Sequence, residues 1–296
     1  AGKRPSARSL IIPKRYSINE GADTESLDVW GFRDTRFEIN NNGSVVLLGK
    51  RYELSGRELP RLIPWIRKNL GIAIDPKDVS HSSYPSSIPK ACIPPKLLSA
   101  FRVFLSGKQI STKDEIRLRH GHGHTQEEMF EIKYGRLGRI PDIVVFPETD
   151  EQIVSLFEAA KKHHSVLIPY GGGTNVTDAL RCRNQESRTI VSVDMRRMNQ
   201  ILWIDKKNHM ACIQAGAIGR CIVEQLKKYG FTLGHEPDSV EFSTLGGWIA
   251  TNASGMKKNR YGNIEDIILD ITVVIPSGKI ERASCFQRQS VGFDLR

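Results

Sequence analysis

The chain has 296 residues, 39% apolar and 26% charged, proportions of an ordinary globular protein that exclude a collagen, a coiled coil or wholesale disorder. Forty-three Lys and Arg against 33 Asp and Glu leave a net charge of +10, which suits nucleic acid, an anionic lipid surface or a phosphorylated ligand without choosing among them. No run approaches the roughly 18–20 apolar residues of a membrane-spanning helix, and five scattered cysteines (Cys92, Cys182, Cys212, Cys221, Cys285) lacking any Cys-x-x-Cys pair read as reduced thiols.

Residues 1–28 are expected to be a disordered basic leader: the first fifteen hold Lys3, Arg4, Arg8, Lys14 and Arg15 and no acid, with no apolar core of a secretory signal. A mixed helix and hairpin region follows over residues 29–140. Phe37 and Ile39, then Asn41-Asn42-Gly43, then Val45 to Leu48 predict a hairpin, because Asn-Gly supplies the positive φ of a tight turn. Leu62, Ile63, Trp65, Ile66 and Leu70 predict a helix ending at Gly71. Five prolines between 76 and 95 mark a wrapped or extended connection, and a second helix is expected from Leu97 to Leu105.

From 141 to 285 strands and helices alternate, predicting an α/β or α+β domain. Ile143 to Val145 is a short strand, and Thr149 with Gln152 has the form of a capping box for a helix presenting Ile153, Val154, Phe157 and Ala160 on one face. Val166 to Ile168 is read as a buried strand that runs into Pro169-Tyr170-Gly171-Gly172-Gly173-Thr174-Asn175. Strands are expected at Ile190 to Val193, Ile201 to Ile204 and Met210 to Gln214, with an amphipathic helix from Ile218 to Tyr229 stopped at Gly230. Ile267 to Ile275, then Pro276-Ser277-Gly278, then Lys279-Ile280 predict a last hairpin, and 286–296 reads as a truncated tail.

Three loops carry the chemistry. A strand feeding three glycines has no β-carbon to block a ligand, so backbone N–H groups can converge on an anion; the spacing is neither the Gly-x-Gly-x-x-Gly of nicotinamide folds nor a P-loop. Asp238-Ser239-Val240-Glu241-Phe242-Ser243-Thr244 supplies hydroxyls and a carboxylate, and Ser243 or Thr244 is placed to cap a short helix. Gly246 and Gly247 would leave the first N–H groups of that helix open to a phosphate. Thr251-Asn252-Ala253-Ser254-Gly255 is a third polar bend against which a flat ring can pack.

These residues carry a resemblance. Pro141-Asp142-Ile143-Val144, Pro169 to Thr174 and Gly216 resemble the flavin-binding domain of the vanillyl-alcohol-oxidase (PCMH) type. Gly234-His235-Glu236-Pro237 continuing through Asp238 to Trp248, with Ala253 to Asn259 and Tyr261 to Asp266, is similar to the alkyldihydroxyacetone-phosphate synthases, and so are Trp30-Gly31-Phe32, Gly49 to Gly56 and Arg119 to Gly123. The resemblance implies an α+β FAD-binding domain with an N-terminal extension, lacking the family's cap. It also implies an enzyme of ether-lipid synthesis that exchanges the acyl chain of acyl-dihydroxyacetone phosphate for a fatty alcohol through an adduct at flavin N5. It implies FAD held by Pro169 to Asn175, Asp238 to Thr244 and Thr251 to Ser254. The FAD would be non-covalent, since Thr174 and Asn175 stand where flavin-tethering relatives place a histidine. It further implies a peroxisomal, membrane-peripheral homodimer when full length. Because the family's chain runs on past Arg296, this chain is expected to be an N-terminal portion with an exposed apolar face, weak FAD binding and negligible turnover by itself.

His235 is the catalytic candidate: an imidazole near neutrality can take the proton leaving the substrate carbon, or hold the substrate phosphate. His120-x-His122-x-His124 would share one face of a strand, but the intervening glycines weaken a strand and no carboxylate or cysteine nearby completes a shell, so no metal is expected. A flavin-dependent 2-hydroxyacid dehydrogenase and a non-catalytic FAD-binding or regulatory module are the alternatives. No motif or interleaved aromatic-basic pattern supports nucleic-acid binding.

Overall fold

The computed structural model describes residues 10–15, 24–75, 82, 84, 87–135 and 137–281. The chain divides into two compact units, one of Ser17–Ser87 with Gln126–Arg136, the other of Ala1–Tyr16, Ile88–Thr125 and Leu137–Arg296. Residues 88–125 therefore pack with the flavin-type sequence, and the division does not follow the line drawn at 140/141 from sequence.

In chain order the elements are β1 (Leu10–Ile11), β2 (Arg36–Ile39), β3 (Val45–Leu48), β4 (Glu58–Leu59), α1 (Leu62–Leu70), α2 (Pro95–Phe101), β5 (Ile110–Ser111), α3 (Asp114–Arg119) and α4 (Gln126–Tyr134). There follow β6 (Ile143–Val145), α5 (Asp150–Lys162), β7 (Val166–Tyr170), β8 (Ile190–Asp194), β9 (Ile201–Asp205), β10 (Met210–Ile213), α6 (Gly219–Lys227), α7 (Leu245–Ala250), α8 (Lys258–Tyr261), α9 (Ile264–Ile267), β11 (Val273–Ile275) and β12 (Gly278–Ile280).

The smaller unit holds the β2-β3-β4 sheet. The hairpin read from Asn-Gly pairs Phe37 with Leu47 and Ile39 with Val45. The basic leader is corrected at two points: Glu25 forms an antiparallel bridge with Phe32 while Ser26 N donates to Gly31 O at 2.8 Å, and Leu10 and Ile11 form β1, antiparallel to β9. They are apolar residues inside the charged run, and Ile11 packs against a core cluster, so their burial outweighs the solvation of their basic neighbours. Residues 1–9, most of 76–86 and 282–296, including Cys285 and the tail, lie outside the described residues. Cys92, Cys182, Cys212 and Cys221 are free thiols.

In the larger unit β5-β6-β8-β7 make a sheet, antiparallel at β5–β6 and parallel elsewhere. Alternation along β8 decides its two faces. Val191 and Val193 join Ile143, Val145, Leu97, Phe101, Leu156 and Ala159 in one apolar cluster; Ser192 and Asp194 turn the other way. The α5 face is thus Leu156, Ala159 and Ala160, about a quarter of a turn from the expected stripe. Thr149 caps α5 by accepting from the Gln152 N–H at 3.3 Å, but the Gln152 carboxamide accepts from Glu148 N and Gln109 and donates to Phe104 O, so the capping box is only half made. β7 is an edge strand and half-buried, not the buried strand expected, which is where Pro169 is tolerated within a ladder. β9 and β10 with β1 cover α6 and α7 through Ile201, Ile204, Ile222, Leu226 and Trp248. The last hairpin is shorter than expected: Ile264–Ile267 is helical and the strand begins at Val273. Among the described residues no helix is long and apolar enough to cross a membrane.

Candidate functional site

The glycine turn leaves the end of β7 and lies against the chain at 242–244. A β-carbon on Gly172 would stand 2.1 Å from Phe242 O and 2.9 Å from Ser243 Cα, and one on Gly171 would stand 2.4 Å from Thr244 Oγ1. Only glycine permits that approach, and Gly173 adds a positive φ of 65°. Gly172 and Gly173 are buried, yet no N–H from Gly171 to Thr174 donates to another described residue. Buried N–H groups are rarely left unpaired, and these have no acceptor among the described residues. Tyr170 is fully buried beneath it and Pro169 is exposed. At the far end His124 N donates to Asn175 O at 2.7 Å.

The second loop is tied to the first and to the third. Ser243 Oγ donates to Ser239 O at 2.8 Å and accepts from Trp248 Nε1 at 2.7 Å. Trp248 O in turn accepts from Ala253 N at 3.0 Å. Met256 N donates to Glu236 O, fastening the third bend beside His235. The loops around Gly172, Ser239 and Ala253 therefore form one framework joined through Trp248. Asp238, Thr251, Asn252 and Ser254 are exposed on it, while Ser239, Val240, Glu241, Thr174, Asn175 and Ala253 are half-buried.

One expectation is overturned. Thr244 does cap α7, accepting from Gly247 N at 3.3 Å, but the helix start is not open to a phosphate. Leu245 N donates to Ala217 O at 3.0 Å and Gly246 N to Ala215 O at 2.7 Å. A β-carbon on Gly246 would meet Ala215 at 2.9 Å. The small residues at this helix start make room for the neighbouring chain, and its donors are spent there.

His235 is buried against Trp248, ring centroids 4.9 Å apart. Neither ring nitrogen has a partner among the described residues. Burial pushes its pKa below the usual histidine value, with Glu265 pulling weakly the other way, so the ring is neutral near pH 7 with one lone pair and one N–H unspent. The other histidines do not converge. His120 bonds to Ile116 O and Asp194, His122 Nδ1 to Gly123 O at 2.7 Å, and the His122 and His124 rings stand 6.1 Å apart.

Sequence reasoning missed a buried cluster under the glycine turn. Asp194, fully buried at the end of β8, accepts from His120 Nε2 at 2.9 Å, Arg196 Nη2 at 2.7 Å and Arg196 N at 2.9 Å. Burial alone would raise the Asp194 pKa, but the Arg196 charge and the His120 bond outweigh it and hold the carboxyl well below the usual range. Arg119 Nη2 donates to Gly172 O at 3.1 Å. The signal was present in the alternation of β8, which sets Ser192 and Asp194 opposite Val191 and Val193. A shallow groove between α2 and α5, lined by Pro95, Ser99, Val103, Lys162 and His163, contains none of the expected site residues.

Residues 141–284 match a family described as an FAD binding domain. Over 269 residues, 90% of this chain and 44% of the relative, the sequence is 43% identical to the alkyldihydroxyacetonephosphate synthase of Caenorhabditis elegans. The chain is a homologue of the alkyldihydroxyacetonephosphate synthases. The synthase of Dictyostelium discoideum is 35% identical over 264 residues, 85% of this chain and 42% of that one. A solved alkyldihydroxyacetonephosphate synthase superposes with a TM-score of 0.81 at 31% identity, covering 92% of this chain and 50% of the other. The chain spans about half or less of the length of the synthases it matches. The fold is the FAD-binding fold of the vanillyl-alcohol-oxidase type, and the cofactor of the domain is FAD. The turn fits a dinucleotide pyrophosphate: no N–H from Gly171 to Thr174 donates to another described residue, and Arg119 lies beside the turn, donating to Gly172 O.

Proposed function

We propose that this chain is the FAD-holding portion of an alkyldihydroxyacetonephosphate synthase, which exchanges the acyl chain of acyl-dihydroxyacetone phosphate for a fatty alcohol. The observation that carries the reading is the meeting of Gly172 with Phe242 and Ser243, because it gathers three side-chain-poor loops around unspent N–H donors. In this reading the N–H groups of Gly171 to Thr174 hold the pyrophosphate, with Pro169 and Asn175 at the ends of the turn. Asp238 to Glu241 and Thr251 to Ser254 line the remainder of the cofactor. Tyr170, Phe242, Ser243 and Thr244 act from behind, as packing and hydrogen-bonding support. When bound, the flavin supplies the reactive centre for the exchange. His235, neutral because it is buried, accepts the proton leaving the substrate carbon at an unspent ring nitrogen; burial disfavours the cation that holding the substrate phosphate would require. Exposed Val176 and Met256 beside the loops suit an apolar covering element. Residence in the peroxisome, peripheral membrane association and a homodimer belong to the same reading.

The first test is titration of the purified chain with FAD, followed by flavin fluorescence. Saturable quenching that Gly172→Ala removes supports the site, and no binding refutes it. The second is transfer of labelled hexadecanol into acyl-dihydroxyacetone phosphate by the FAD-loaded protein purified from its own cells. His235→Ala should abolish transfer while FAD stays bound. Bleaching of the flavin by lactate without alcohol transfer would assign a hydroxyacid dehydrogenase instead.

A further inference from the structure

We propose that His120 is a positioning residue of the cofactor turn, held as an imidazolium between the Ile116 carbonyl and the Asp194 carboxylate. Through Tyr170 it keeps Gly171 to Gly173 in place for an anionic ligand. The role of the turn rests on the FAD reading; the charge of the ring does not.

The hydrogen bonds decide the charge. His120 Nδ1 lies 2.7 Å from Ile116 O and Nε2 lies 2.9 Å from Asp194 Oδ2. Neither a carbonyl nor an ionised carboxylate has a proton to give, and a neutral imidazole has only one N–H. Either neutral tautomer would press a ring lone pair against an acceptor in a site that water does not reach, where such a contact is costly. The ring with both N–H groups satisfies both contacts. Burial, the largest influence, together with the Arg196 charge takes its pKa below the usual histidine value against the opposing pull of the Asp194 bond and charge and the Ile116 carbonyl; the two acceptor contacts argue for the charged form against that desolvation. His120 is also the C-terminal cap of α3, where open carbonyls favour a cation.

The coupling to the turn is equally local. The His120 ring lies 4.0 Å from the Tyr170 ring, and Tyr170 immediately precedes Gly171. Tyr170 and Asp194 are paired across β7 and β8. Arg119 and Arg196 stand over the same tyrosine ring at 5.7 and 5.2 Å. A β-carbon on Gly173 would meet Tyr170 Oη at 2.4 Å and Arg119 Nη1 at 2.7 Å. The charged and titratable groups around His120 are thus Asp194 at the end of β8, Arg196 just after it, Arg119 on α3, His122 and His124 beyond it, and Tyr170 on β7. Asp194 is the one anion among them, so a protonated His120 leaves positive charge beneath a turn whose ligand is a pyrophosphate.

The test has two parts. Nitrogen-15 NMR of the imidazoles in the FAD-free chain at pH 7, with His120 assigned by the signals lost in His120→Arg, should show protons on both His120 nitrogens. One bare nitrogen overturns the proposal. FAD dissociation constants are then compared for the unsubstituted chain, His120→Gln and His120→Arg. Gln lacks the charge and should weaken binding about tenfold or more, while Arg keeps the charge and two donors and should stay within about threefold. Unchanged affinity in His120→Gln, or equal loss in both variants, overturns the positioning role. If the unsubstituted chain binds no FAD, the cofactor reading fails and the NMR result still decides the charge.

Discussion

Lowering the pH from 7 to 5 should cost this fold about 2 kcal/mol through His122 alone. The His122 side chain is fully buried, Nδ1–H donates to Gly123 O at 2.7 Å, and Nε2 has no partner among the described residues. Burial first, and then the Arg119 charge, push its pKa down to about 3. In the unfolded chain the ring titrates near 6.5. The folded pKa is the lower one, so the stability that His122 contributes is complete above about pH 6.5 and is lost as the pH falls from there toward 3. Urea unfolding at pH 7, 6 and 5 measures the loss, and His122→Gln, which does not titrate, isolates it. The variant should lose about 2 kcal/mol less than the unsubstituted chain between pH 7 and 5, whatever its stability at pH 7. Buried His235, also shifted down, leaves a residual slope in both proteins. Equal pH slopes for the two would refute the claim that His122 is held neutral.

Gly172→Ala should abolish FAD binding and lower Tm, since its β-carbon would sit 2.1 Å from a backbone carbonyl that cannot swing away; fluorescence titration and a thermal melt check both. Asp142 is buried and accepts from Arg139 at 2.6 and 2.9 Å and from Cys92 N and Ile190 N at 2.8 Å each. Asp142→Asn should cost about 3 kcal/mol by leaving the arginine without its anion, measured by urea unfolding at pH 7. Thr244→Ala removes the α7 cap and should cost about 1 kcal/mol in the same assay. If FAD occupies the proposed turn, excess FAD should raise Tm in the unsubstituted chain and leave Gly172→Ala unchanged.

Much of the fold was legible because it is written in neighbours. An Asn-Gly pair between two apolar runs closes the β2–β3 hairpin, a glycine ends α1, and Thr149 starts α5, each through atoms a few residues apart. The glycine turn was legible for the same reason, as was His235, whose role is a proposal. What the sequence by itself determined was therefore where the chain must bend, which runs must be buried, and which loops lack side chains to exclude a ligand. The tertiary structure alone decided which polar groups remain available. Ala215 and Ala217 consume the first donors of α7, Asp194 claims His120 from 74 residues away, and β9 draws Leu10 and Ile11 out of the basic leader. A buried donor or acceptor is satisfied by whatever the fold brings within hydrogen-bond distance, and that distance bears no fixed relation to separation along the chain.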